Sequence, residues 1–401
     1  MSRSFIFSSR TALATLLALS GHATDAATLR VPSQYPTIQG AIDASRTGDT
    51  VLVAPGTYAE GLAIHDKGIL TLESEAGAES TIIDGTGATN VIEVSASKNS
   101  HRTDYRISGF TIRNGAHGGV HGYGGRTHVE NNIVIDNALV DGYAYGAVRL
   151  QDSSGSIRHN VIKGNDATGV WLIDPHQVLV EDNRIEGAII GIDISQGYHW
   201  PDGSAKVIRN VVKDSEYRDF HTYGTLRIQA ADNLFVRNVE ASDISVLLVG
   251  GTAGDDGTLT GKFVNNTIVT TVGSERLVTF AGDMSGLEFA NNIIYSATDA
   301  IALSCWSYVG RPVMHHNDVF SAHGWPLDGE CGDFANEPGN MLVDPGFAQD
   351  GWMLKPDSPL IDAGSNDTVK HLRRDIRGVS RVVDGGHGPV VDMGAYEYLP
   401  K

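Results

Sequence analysis

Eight asparagines recur along the chain, at Asn132, Asn160, Asn183, Asn210, Asn233, Asn266, Asn292 and Asn317, separated by 28, 23, 27, 23, 33, 26 and 25 residues. Each stands beside a short run rich in β-branched residues, such as Asn160-Val161-Ile162 and Asn183-Arg184-Ile185. Self-similarity at this spacing marks a repeat architecture, in which one unit cannot bury its apolar face alone and stacks on the next. No unit is long enough for two crossover helices, and the apolar residues alternate as they do in strands. The expectation is an all-β solenoid of stacked parallel coils with an asparagine at the same corner of each. There its side chain hydrogen-bonds along the stack and tolerates a bent or left-handed backbone.

A second feature lies ahead of the repeats. The segment Val31-Pro32-Ser33-Gln34-Tyr35-Pro36-Thr37-Ile38-Gln39 runs through Ala41-Ile42-Asp43-Ala44 to Gly48-Asp49-Thr50-Val51 and Pro55-Gly56-Thr57-Tyr58. Ile38, Ala41 and Ile42, at i, i+3 and i+4, form one apolar helical stripe, enough to lie over a core. A terminal repeat needs such a cover because its inner face is otherwise wet. Over roughly residues 29 to 340, the repeats and this segment resemble the pectate-lyase-like superfamily of right-handed parallel β-helices. The resemblance implies a short helix that plugs the open end, followed by the first strand. It implies no single activity, because the superfamily holds lyases, hydrolases, epimerases, esterases and non-enzymatic surface proteins.

Residues 1–26 read as a secretory signal, with Arg3 and Arg10 at the start, the short apolar core Ala12-Leu13-Ala14-Thr15-Leu16-Leu17-Ala18-Leu19, and a cut after Ala23 or Ala26. That core is too short to span a bilayer, and no other stretch reaches the required length. The expectation is a secreted or periplasmic monomer. Its formal charge of −18 becomes −19 after a cut at Ala26, which removes two arginines and Asp25. Such acidity argues against nucleic acid as a partner. Cys305 and Cys331 are the only cysteines, 26 residues apart and so close to one coil. A disulfide between adjacent turns would contribute on the order of 3 kcal/mol.

The last sixty residues change character. Pro356-Asp357-Ser358-Pro359-Leu360-Ile361-Asp362-Ala363-Gly364, Asp375-Ile376-Arg377-Gly378 and Val391-Asp392-Met393-Gly394-Ala395-Tyr396-Glu397 resemble a C-terminal module of exported β-helix proteins that closes the far end of the solenoid. The domain reading is therefore signal 1–26, β-helix with its N-terminal cap 27–340, and an irregular closing module 341–401. The aspartates read as turn and cap residues, and Gly394 as a position needing freedom in φ.

Aligning coils on the strand that closes each repeat brings together Val120-His121-Gly122, Val148-Arg149-Leu150-Gln151, Val170-Trp171-Leu172-Ile173, Ile192-Asp193-Ile194-Ser195 and Phe220-His221-Thr222-Tyr223. Side chains alternate along a strand, so Val120, Val148, Val170, Ile192 and Phe220 face inward. His121, Arg149, Trp171, Asp193 and His221 then face outward, stacked about 4.8 Å apart. Gln151, Ser195 and Tyr223 continue that face, and Val246, Thr279 and Ala302 extend the column beyond the polar stretch. A slip of one residue would turn the set inward, but an inward Arg149 would be too costly. Such a column is either a solvated outer face or a site.

As a site, it offers specific chemistry. Trp171, Tyr198 and Trp200, with His121, would bind sugar faces, and Arg149 would hold a carboxylate. Asp193 would orient His221 or, with Asp174, bind calcium. Asp174-Pro175-His176 resembles the Asp-Pro-His motif of the alginate C5-epimerases, which places it in an active site. Trp171 and Leu172 stand where that family has tyrosine and glycine, so its tyrosine proton carrier is missing.

The leading reading is a polysaccharide lyase or epimerase acting on a uronate-containing polysaccharide by proton abstraction at C5. His221 or His176 is the base, Arg149 or calcium neutralises the carboxylate, and Tyr223 protonates the leaving oxygen. A glycoside hydrolase would instead need two carboxyl groups roughly 5 to 9.5 Å apart, for which Asp174 and Asp193 are the candidates. A non-catalytic glycan-binding surface protein is the third reading.

Overall fold

The computed structural model describes residues 26–400 except 98–102, 138–144, 197–202, 241–244, 251–256 and positions 274, 332 and 350. All but the last residue of the signal segment therefore lies outside the described residues, as do Tyr198 and Trp200. No helix among the described residues is long and apolar enough to cross a membrane.

Each coil carries three short strands. One coil contributes Gly146–Gln151 to a first face, Ser154–Arg158 to a second and Val161–Lys163 to a third. The next stacks Thr168–Ile173, His176–Glu181 and Arg184–Glu186 on them, all parallel. Third-face strands form an eleven-stranded sheet. Strands of the first two faces join in a twenty-two-stranded sheet, because the long strand Arg276–Ala290 turns from one face to the other without a break. Val120, Val148, Val170, Ile192 and Phe220 are fully buried inside the tube, so the alternation expected of the first face holds in its register.

The asparagines occupy the corner between the second and third faces. Each backbone N–H and side-chain amide donates to the Oδ1 of the asparagine one coil on, at 2.9 to 3.2 Å, from Asn132 to Asn317. The ladder runs one rung further than the repeat count, to Asn340. Each side-chain amide also donates back to a second-face carbonyl, for example Asn183 to Ile157 O at 2.8 Å. The left-handed conformation falls on the residue before each ladder asparagine, from Asn131 to His316, with φ between 52° and 58°. The asparagine itself is spared, which leaves its side chain aligned with the stack. Asn137 and Asn165 build a shorter ladder at the opposite corner, where Asn137 donates to Asn165 Oδ1 at 2.9 Å.

The helix Ile38–Ala44 covers the N-terminal end with Ile38, Ala41 and Ile42 fully buried. It lies between the paired strands Thr28–Val31 and Thr50–Val53, so one strand precedes the plug rather than all following it. The Glu60 carboxylate accepts from the backbone N–H groups of Ile38 and Gln39, which no neighbour within the helix can satisfy. At the far end Cys305 and Cys331 form the expected disulfide between adjacent coils.

The segment after residue 340 starts at that end, where Met341 bridges in parallel to Asp318, and does not stay there. The short strand Leu327–Gly329, Cys331 and Phe334 finish the core there. The chain then returns along the flank of the solenoid. Val369, Leu372 and Val391 pack on Ala231, Val264 and Ala290, while Leu354, Leu360, Ile361 and Met393 pack on Ile293. The reason lies at the corner: Asn265 and Asn291 turn their side-chain amides outward, where they donate to Asp392 O at 2.9 Å and to Thr368 Oγ1 at 2.7 Å. Gly394 has φ 86°, and a Cβ there would fall 2.6 Å from Ile293 and Thr267, so the position takes glycine on both counts. Asp362 and Asp375 accept from turn N–H groups, as their sequence context suggests, and so does Asp384.

Candidate functional site

Strand pairing on the first face sets Glu93, His121, Arg149, Trp171, Asp193 and His221 in one column across six successive coils. Glu93 lies one coil before the residues singled out from the sequence. Past His221 the column continues through Leu248, Thr279 and Ser304. Val246 and Ala302 are two positions removed and buried, because the first-face strands start at different distances from their corner asparagines. A second outward column holds Tyr123, Gln151, Ile173, Ser195 and Tyr223.

The column is linked side chain to side chain. His221 Nδ1 lies 3.3 Å from Asp193 Oδ2, and both side chains are only 14% exposed. Among the described residues His221 Nε2 and the second Asp193 oxygen meet no hydrogen-bond partner. Trp171 Nε1 donates to Ser195 Oγ at 3.3 Å, while the Arg149 guanidinium lies over the Trp171 ring at 4.7 Å and donates to Gln151 Oε1 at 2.7 Å. One face of Trp171 is therefore taken by a cation and is closed to a sugar. Arg149 Nε and His121 Nε2 are also buried without a partner among the described residues. Burial, reinforced by Arg149, lowers the His121 pKa despite the opposing charge of Glu93. Burial also lowers that of Arg149. Buried polar atoms left unpaired are costly, and a run of them along one strand column suits a polar ligand that completes their bonds.

Arg218 shares the strand Arg218–Tyr223 with His221 and is half-buried, with its guanidinium 4.7 Å from the Tyr217 ring. The sequence reading passed over it. Arg218 sits three residues before His221 on the same outer face, because Asp219 and Phe220 both turn inward and shift the alternation.

Other expected members stand apart. Asp174 is 1% exposed, has φ 48° and forms the corner between the first and second faces, where its N–H donates to Ser195 O at 2.9 Å. His176 begins the next strand on the second face and pairs with Ser204. The Asp-Pro-His tripeptide thus rounds a corner, and its histidine does not join the His221 column. Asp193 precedes Ser195 by two positions, which sets it roughly 7 Å or more along the coil from the Asp174 corner. Among the described residues no group of three or more His, Cys, Asp or Glu side chains is arranged to hold a metal ion.

Residues 90–240 match the family model described as a right handed beta helix region. No curated protein matches the chain. Among solved structures, pectate lyase Pel9A is similar at 14% identity, covering 93% of this chain and 97% of that one, with a TM-score of 0.47. The A-module of a mannuronan C-5 epimerase from Azotobacter vinelandii is similar at 16% identity, covering 77% of this chain and 94% of that one, with a TM-score of 0.33. A XylC complex with xylose is similar at 12% identity, covering 89% and 67%, with a TM-score of 0.44. The chain is a right-handed parallel β-helix, as its repeats and first coil implied.

Proposed function

We propose that this right-handed β-helix is an exported carbohydrate-active enzyme of the lyase or epimerase type, which removes the C5 proton of a uronate residue within a polysaccharide. The observation that carries the reading is the largely buried Asp193–His221 pair on the first face. With its Nδ1–H donated to Asp193, the imidazole keeps its lone pair on Nε2, the atom without a partner among the described residues. That is the arrangement of an oriented general base.

The remaining residues take roles that follow from their coils. Arg149 is three coils from His221, about 14 Å at the strand spacing, so the carboxylate it holds belongs to a neighbouring sugar unit. The cation on His221's own strand and face is Arg218, which we assign to the carboxylate of the reacting unit. Its charge would stabilise the carbanion that forms when Nε2 takes the proton. Tyr223 is two positions along the same face, roughly 7 Å at the strand rise. Its phenol would give a proton to the departing glycosidic oxygen, leaving an unsaturated sugar; reprotonation of the ring carbon from the other side would give the epimer. Export agrees with the Cys305–Cys331 disulfide. Hydrolysis by Asp174 and Asp193 is the lesser reading, since Asp174 is buried at its corner and apart from Asp193.

The test is a panel of uronate polysaccharides, with and without calcium, followed by ultraviolet absorbance of the unsaturated product and by product NMR. The expected result is turnover on at least one polymer, reduced by about 10²–10⁴ in His221→Ala. Arg149→Ala should chiefly raise KM and Arg218→Ala chiefly lower kcat. No new double bond and no epimer on any uronate polymer would leave a glycan-binding β-helix without this chemistry.

A further inference from the structure

A groove of about 470 Å³ lies on the second face, around the corner from the His221 column, with the C-terminal module as its other wall. Its cations are Lys206, Arg227 and Lys262 from three successive coils, and His371 faces them from the module. Lys206 and Lys262 share a column two coils apart, about 10 Å, with Gln229 between them. Arg227 stands on that middle coil, two positions along the strand. Neither Lys206 nor Arg227 has a hydrogen-bond or ionic partner among the described residues. Lys262 is held to Glu288 at 2.6 Å, and Glu288 lies outside the groove wall.

The placement runs against the rest of the molecule. A chain with 48 acidic and 30 basic residues has put cations and no carboxylate on the walls of one concavity. The neutral polar groups there are Gln177, Ser204, Gln229 and Thr368, which suit hydroxyl groups. The module wall is anchored, since Val369 and Leu372 are buried against the solenoid on either side of the outward His371. Spaced cations on a rigid ladder match an anionic chain better than a single small anion.

We propose that this groove is a second docking site for an anionic polysaccharide, which it holds through carboxylate or sulfate groups on Lys206, Arg227 and Lys262, with His371 as a hydrogen-bonding group on the opposite wall. The choice of polymer rests on the polysaccharide reading above, whereas the groove's position and charge are independent of the first-face chemistry.

The experiment is titration of labelled polyuronate, a sulfated polysaccharide, a neutral glucan and single-stranded DNA into the wild type, into Lys206→Ala/Arg227→Ala and into His221→Ala. The double variant changes exposed side chains, and its fold is checked by circular dichroism. Wild type and His221→Ala should bind at least one anionic glycan equally, less tightly at higher salt. The double variant should bind it about tenfold or more weakly while keeping its turnover of short oligosaccharides. The idea is overturned if the double variant binds like wild type, if DNA binds as tightly as the glycans, or if wild type binds no polyanion. A loss of turnover in His221→Ala with glycan binding intact would leave both readings standing. Absence of turnover on every polymer with groove binding intact would remove only the first.

Discussion

A single ladder asparagine holds more of this fold than its size suggests. Asn210 Oδ1 accepts two hydrogen bonds from Asn183, and its own amide donates to Val180 O and Asn233 Oδ1, all in a fully buried corner. Asn210→Ala strips those partners from groups that no water reaches, so a loss of about 2–4 kcal/mol is expected from urea denaturation. Asn340, whose bonds are only partly buried, should cost about half as much on the same substitution. Equal costs at the two positions would mean that the ladder's burial does not govern its strength. The left-handed residue in front of each asparagine shows the same economy, since Asn, Asp, His and Arg all take that conformation when the ladder requires it.

At the scale of the element, the outermost coils are weakest, having a neighbour on one side only. The N-terminal coil is covered by Ile38–Ala44, and the last coils are tied by Cys305–Cys331. Closing a loop of this length contributes on the order of 3 kcal/mol. Cys331→Ser should therefore lower the melting temperature and speed hydrogen exchange in the strands Ile301–Gly310 and Leu327–Gly329. The coils around Trp171 should keep their protection; uniform loosening of all coils would show that the solenoid melts as one unit instead.

For the whole molecule, the flank-bound module raises a question of charge. Arg381 is buried between Asp232 of the solenoid corner and Glu397 of the module, with which it makes ion pairs. Burial outweighs that guanidinium and raises the carboxyl pKa values, to about 6 for Asp232 and Asp392 and about 7 for Glu397. Arg381 itself stays charged, held by its two carboxyl neighbours. Groups whose folded pKa is raised take up protons on docking. Their contribution is complete below the ordinary carboxyl range and is lost as pH rises through about 6 to 7. Limited proteolysis of the module should accelerate between mildly acid and mildly alkaline pH, and Glu397→Gln should flatten that dependence. Faster cleavage on the acid side would reverse the sign and defeat the argument.

Periodicity alone determined the solenoid, the inward and outward sets of the first face, the N-terminal plug and the pairing of the two cysteines. Each is a consequence of local spacing: two residues per strand alternation, about 25 per coil, and one apolar stripe. The column from His121 to His221 was legible for the same reason. What spacing could not carry was everything set by contacts between segments far apart in the chain. The Arg218 position depends on a local break in the alternation. The turning of His176 onto another face depends on a corner at Asp174. The module lies on the flank because Asn265 and Asn291 offer amides more than a hundred and more than seventy residues before their partners. The basic groove exists only because that module stands opposite Lys206 and Arg227. A repeat states its own register in sequence, but a docking surface is stated only when two distant parts of the chain meet.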